Sequence, residues 1–193
     1  LRRYPEGMVV LDPAFTVPLY SQAGAARIVD VSPNTFRNWS RGYAYRTLTG
    51  THTSVGLITL AGPERELVVP FVGLAEAYVI ESLRRAGLPM QRIRPAVEKL
   101  REEQGVQEAL LSRRLKTDGV ELLFEYLESP DASPDAPSVL AVVRNKQAVF
   151  RAAVEQYLST VHYSEDGLVD SIFPRRFGPD LVIVDPRING GQP

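Results

Sequence analysis

The sequence has no cysteine in its 193 residues. Disulfides and thiolate metal sites are therefore excluded, and the absence fits a cytoplasmic protein. Histidine is nearly missing too: only His52 and His162 occur, neither with a ligand neighbour at metal spacing. No apolar run approaches the roughly 20 residues needed to cross a bilayer. No stretch reads as a signal peptide, although the chain opens on Leu1. The Gly-x-Gly-x-x-Gly and Walker phosphate loops are absent. Glu121, Glu125 and Glu128 share a face only if their segment is helical, and they read as a solvated edge. The acids in general lie in surface-like contexts, so the buried carboxylate cluster of a Mg²⁺ nuclease is not expected. No catalytic residue, metal, cofactor or membrane partner is expected, and the chain does not read as an enzyme.

What is present is ordinary for a globular protein: 44% hydrophobic and 23% charged residues. The length allows one large domain or two small ones. A net charge of −1 hides an asymmetry. Residues 1–46 carry six Arg against three acids, and residues 82–116 carry nine Lys/Arg against four. Residues 117–173 carry three Lys/Arg against ten acids, a balance of −7. Such a split suits one face for phosphates and another for a basic partner, though uneven surface charge is common.

The most informative stretch is Tyr20 to Tyr43. Ser21 is a helix cap, and Ala25, Ile28 and Val29 follow at helical spacing as an inner face. Asp30-Val31-Ser32 is a tight turn. Ser32 caps a second helix, with Pro33 at its first position, where a missing N–H costs nothing. Phe36 and Trp39 are three apart and share the buried face. Asn34, Thr35, Arg37, Asn38 and Arg41 remain for the outer face, and Gly42 stops the helix. Arg reads guanine and Asn reads adenine at base edges in the major groove. Thr35 at the helix N-terminus suits a phosphate. The sharp reading is a DNA-recognition helix, and the bland one a helix pair with a solvated face.

Residues 1–19 read as an irregular lead-in with a short apolar segment, Met8 to Leu11. After Gly42 come Tyr43 to Arg46 and then a Thr/Val/Leu/Ile-rich stretch to Gly73. It is broken by Gly50, Gly56 and Gly62-Pro63, and reads as short strands in a hairpin. A hairpin after a recognition helix is a winged-helix layout, with Tyr43 and Arg46 near the duplex backbone and His52 either beside them or, as the preferred reading, an ordinary surface residue of the loop. Residues 72–87 predict a helix with Leu74, Ala77, Tyr78, Ile80 and Leu83 as its stripe. Pro89 opens another, where Met90, Ile93, Val97 and Leu100 form a seam for a neighbouring helix or a dimer partner. Pro95 means either a later start near Arg94 or a kink. Arg84, Arg85, Arg92 and Arg94 cluster between the two helices, either on phosphate or solvated.

Leu110–Leu115 and Val120–Leu127 predict two antiparallel strands around Asp118-Gly119, the second of which could also be helical. Residues 129–138 read as a mobile loop, and Val139–Val143 as a strand. A helix capped by Asn145 runs to Val161, followed by a polar turn, Tyr163 to Gly167. Leu168–Phe173 and Leu181–Val184 are strand candidates. The expected fold class is α+β. A winged helix-turn-helix region with two following helices spans residues 1–105. An α+β middle domain, a small antiparallel sheet with a packed helix, spans 106–184.

Ser32-Pro33-Asn34-Thr35-Phe36-Arg37-Asn38-Trp39 resembles the Ser-Pro-x-Thr-x-Arg-x-Trp opening of the recognition helix in MerR-type regulators. The tail Val184–Pro193, with Gly190-Gly191-Gln192-Pro193, resembles the opening of a small helical bacterial domain of unknown function, so residues 185–193 look like a truncated start of it. Together with Leu74–Leu100, the chain is similar over nearly its whole length to VapB-type antitoxins of actinobacterial toxin–antitoxin pairs. The resemblance implies a homodimeric antitoxin that neutralises a PIN-domain ribonuclease toxin and represses its own operon by binding operator DNA. Arg37, Asn38 and Arg41 would touch bases or groove, and Thr35 and Arg46 phosphates, with Asn34 and Tyr43 beside them. Two alternatives stand: a MerR-like regulator answering to a small ligand bound in its second half, without a toxin, and an interaction module whose helix pair only packs.

Overall fold

The computed structural model describes residues 12–47, 50–61, 68–85, 88–104, 110–111, 159–165, 167–178 and 181–191. The predicted Asp118-Gly119 hairpin, the loop at 129–138, the Val139–Val143 strand and most of the helix after Asn145 lie outside these residues. The architecture is α+β, with helices joined to small antiparallel sheets around one apolar core.

The expected irregular lead-in is instead ordered from Asp12. Asp12 Oδ1 accepts from Ala14 N at 2.9 Å and caps α1 (Pro13–Thr16), which places Pro13 in its first turn. Strand β1 (Pro18–Ser21) follows and pairs antiparallel with β4 (Val68–Pro70). The second apolar stretch after the predicted recognition helix therefore joins the lead-in, not its own hairpin. Pro18 and Pro70 face each other at the end of this ladder, where a missing N–H is tolerated. The physical reason is burial: β1 carries Tyr20 into the core beside Val69.

Helix α4 (Phe71–Arg85) is buried on every side over its first ten residues, not along the single predicted stripe. That includes Glu76, at 0% exposure, which corrects the expectation that the acids are surface groups. Glu76 Oε1 accepts from Arg101 Nη2 at 2.6 Å, and Oε2 accepts from the Thr59 backbone N–H at 2.6 Å. Burial still holds this carboxyl above its ordinary value, against the pull of Arg101 and Thr59. Arg101 lies on α5 (Met90–Gln104), which runs through Pro95 without a later start. Ile93, Val97 and Leu100 are fully buried within the chain and Met90 is half-buried against them, so the predicted seam packs into the chain's own core.

The expected strand beginning at Leu110 is corrected at its start: Leu110 and Leu111 form a buried 3-10 turn. The predicted helix does not reach Val161, because Ser159-Thr160 is a turn and β5 (Val161–Tyr163) starts there. β5 pairs antiparallel with β6 (Val169–Ile172) across the expected polar turn. Leu181–Val184 makes one bridge, Val184 to Ile172, and is not a full strand. Val161, Val169, Ile172 and Val184 join the same core as the N-terminal helices. The tail returns to β1, where the Tyr20 hydroxyl donates to Gly191 O at 2.7 Å.

Candidate nucleic-acid interface

Helices α2 (Gln22–Val29) and α3 (Pro33–Arg41) form the predicted pair, and local chemistry explains each boundary. Ser21 Oγ accepts from Gly24 N at 3.0 Å. Asp30 takes left-handed backbone with φ 66° and ends α2, as a short polar side chain tolerates. Val31 N donates to Ala26 O at 2.9 Å and closes the turn. Ser32 Oγ then accepts from Thr35 N at 3.1 Å. Phe36 and Trp39 are buried as expected, and Gln22 Nε2 donates to Ser40 Oγ at 2.9 Å, pinning the helices together. At the far end of α4, Arg85 pairs with Asp30 in the turn at 2.8 Å, and Arg84 lies over the Trp39 ring.

The recognition face separates into two groups. Asn34, Arg37 and Arg41 are exposed and follow at three and four residues, so they form one stripe along α3. Asn38 is half-buried. Thr35 is half-buried as well, and its hydroxyl is engaged with Ser32 Oγ at 2.8 Å. Three of the predicted side chains are thus brought together on one exposed edge of the helix, while Thr35 is engaged at the cap.

Strands β2 (Tyr43–Thr47) and β3 (Gly50–Ser54) form the wing, in register from Tyr43 opposite Ser54 to Thr47 opposite Gly50. The first strand starts at Tyr43, earlier than the sequence pattern placed it. Strand alternation puts Tyr43 and Arg46 on opposite faces of this exposed ribbon. Tyr43 shares its face with Tyr45, 44% exposed, and Tyr45 stacks on His52 with ring centroids 5.6 Å apart. Tyr45 is the surface aromatic that sequence reading passed over, although alternation from Tyr43 would have found it.

The wing is set against the end of α3 at several points. Leu57 N donates to Trp39 O at 2.7 Å. Gly42 has φ 75°, and a Cβ there would run into Ser54 O. A Cβ on Gly56 would run into Ser40 O. Arg94 of α5 adds the remaining link: Nη1 donates to Val55 O at 2.6 Å, and Nη2 to Asn38 O at 3.0 Å. Its guanidinium carbon lies 5.3 Å from the Tyr43 ring centre. Burial pushes this guanidinium below its ordinary value, while Tyr43 and Glu98 oppose the shift. Of the Arg cluster expected on phosphate or in solvent, Arg94 is buried, Arg92 is half-buried, and Arg84 and Arg85 are exposed at the surface and paired with Glu81.

Among the described residues no group of three or more His, Asp or Glu is gathered to hold a metal. Nor is any described helix long and apolar enough to cross a membrane. Residues 18–97 match a family described as "Putative DNA-binding HTH domain". Over 189 residues the chain is 40% identical to "Putative antitoxin VapB45" of Mycobacterium tuberculosis (strain ATCC 25618 / H37Rv), covering 95% of this chain and 79% of that protein. The chain belongs to the VapB45 family. The X-ray crystal structure of Rv2018 from Mycobacterium tuberculosis is similar at TM-score 0.67 and 31% identity, covering 93% of this chain and 80% of that one. For a VapB45-family chain, the helix pair, the wing and α5 up to Val97 all fall within the matched helix-turn-helix region.

Proposed function

We propose that this VapB45-family chain is a non-enzymatic antitoxin. It binds operator DNA through α3 and the wing, represses its own operon, and neutralises a PIN-domain ribonuclease toxin by direct contact. The observation that carries the reading is the Asn34–Arg37–Arg41 stripe, exposed on a capped helix beside an exposed wing. The matched family description and the name of the M. tuberculosis relative support it. Arg37, Asn34 and Arg41 reach base edges in a MerR-like arrangement. Arg46 and Tyr43 approach the sugar-phosphate backbone from the two faces of the wing, while Thr35 is engaged at the α3 cap and the Asn38 carbonyl is held by Arg94. A homodimer fits two half-sites, although its interface is not the α5 seam. Such a repressor works in the cytoplasm.

The deciding experiment is binding to the duplex upstream of its own coding region. Arg37→Ala should weaken it by about 1–3 kcal/mol and relax sequence preference at one base pair. Unchanged affinity and preference would remove Arg37 from the readout. Co-expression with the neighbouring open reading frame tests the other half: a stable complex that silences a ribonuclease is expected.

The alternative reading is a ligand-responsive regulator without a toxin, and one feature bears on it. A shallow cleft with internal room for about one water lies between α2, α4 and the 3-10 turn Arg175–Phe177. Arg175 Nε and Nη2 are buried beside it without a hydrogen-bond partner. A neighbour that is no toxin, together with a small acid that changes DNA affinity, would move the assignment to this reading.

A further inference from the structure

The recognition helix and the wing must meet one duplex together, so the angle between them matters as much as the side chains they carry. Within the helix–hairpin unit that angle rests on the Leu57–Trp39 bond and on Gly42 and Gly56, which let backbone lie on backbone. Arg94 comes from outside the unit. It is 39 residues from Val55 and 56 from Asn38, yet one guanidinium bonds the carbonyl of each. Asn38 O lies in the last turn of α3, and Val55 immediately follows the wing's second strand. The same group sits over Tyr43, the first residue of the wing. A planar fork with diverging donors can hold two carbonyls at a fixed spacing, whereas an ammonium is a single point.

We infer that Arg94 is a positioning residue for nucleic-acid binding: it fixes the wing on the recognition helix without touching the duplex itself. Arg94 is 8% exposed and faces protein carbonyls, so it is not a phosphate contact. Through it α5 is coupled to the reading edge. The inference rests on the DNA-binding reading above for its ligand, but its geometry does not need DNA.

The test has a DNA-free arm and a DNA arm. The chain has no cysteine, so Ala23→Cys and Thr51→Cys give clean spin-label sites on exposed positions of α2 and the wing. The full chain should give a narrow label–label distance distribution, and Arg94→Lys or Arg94→Met a clearly broader one, with far-UV circular dichroism unchanged. In the DNA arm, the salt dependence of binding to the upstream duplex is measured. Arg46→Ala should lower the slope of log affinity against log salt by about 0.9, one phosphate contact. In the Arg94→Lys background Arg46→Ala should change it no further, because the wing contact is already lost. A narrow distribution in both Arg94 variants, or an Arg46→Ala effect that survives intact in Arg94→Lys, overturns the inference. Broadening in a chain whose wild type binds no duplex leaves the positioning role standing and removes the DNA-binding reading instead.

Discussion

Replacing Glu76 with alanine should cost as much as truncating a large apolar residue of the described core. The carboxylate is at 0% exposure and holds two partners at 2.6 Å, Arg101 Nη2 and the Thr59 backbone N–H. Arg101 Nη2 also donates to Leu57 O at 2.7 Å, so the pair ties α4 and α5 to the segment leaving the wing. An exposed ion pair would contribute about 0–1 kcal/mol. Removing one partner of a buried pair costs about 3–5 kcal/mol, because the other charge is left uncompensated. Arg101 keeps only 14% side-chain exposure, which puts this case with the buried pairs. The Thr59 N–H is orphaned by the same change, and the two losses overlap. For Glu76→Ala we expect about 4 kcal/mol, or roughly 10 °C in Tm for a chain of this size. Glu76→Gln should cost about half as much: it keeps an acceptor for Thr59, and burial already disfavours the charge. Urea unfolding followed by the fluorescence of Trp39, the single tryptophan, measures both. A Glu76→Ala loss under about 1 kcal/mol would refute the argument, since that is the value of a solvated pair.

Gly56→Ala should destabilise the fold by about 1–3 kcal/mol, read by urea unfolding, because the new Cβ meets the Ser40 carbonyl and pushes the wing off α3. Asp185 is a pH-dependent contributor. Arg187 donates to it from Nε and Nη2, both at 2.8 Å, and holds its carboxyl below the usual value. The folded value is depressed, so the contribution is full above the unfolded value of about 4 and is lost as pH falls through the lower folded value. Wild type should therefore exceed Asp185→Asn by about 1 kcal/mol at neutral pH and converge with it in acid, in unfolding curves taken from pH 7 down to pH 3. An advantage that persists unchanged in acid would show that packing, and not charge, is what Asp185 supplies.

The sequence alone determined the helix pair in detail. Ser21, Asp30, Ser32 and Pro33 act on backbone groups within a few residues, so each boundary of α2 and α3 follows from local chemistry. The exposed stripe of Asn34, Arg37 and Arg41 follows from helical periodicity, and the hairpin beyond Gly42 from composition and glycine spacing. Only the tertiary structure decided the rest, because the deciding partners are far apart in the chain. Nothing near Glu76 distinguishes it from a surface acid until Arg101, 25 residues on, and Thr59 arrive to satisfy it. Arg94 looked like any cation of a basic cluster until folding brought the carbonyls of Asn38 and Val55 to either side of it. The seam of α5 was legible as apolar, but a periodic pattern does not say which surface covers it. Packing against the chain's own core answered that, and it also drew Pro18 and Leu19 out of an unpatterned lead-in, with Tyr20 and Ser21, to pair with Val68–Pro70.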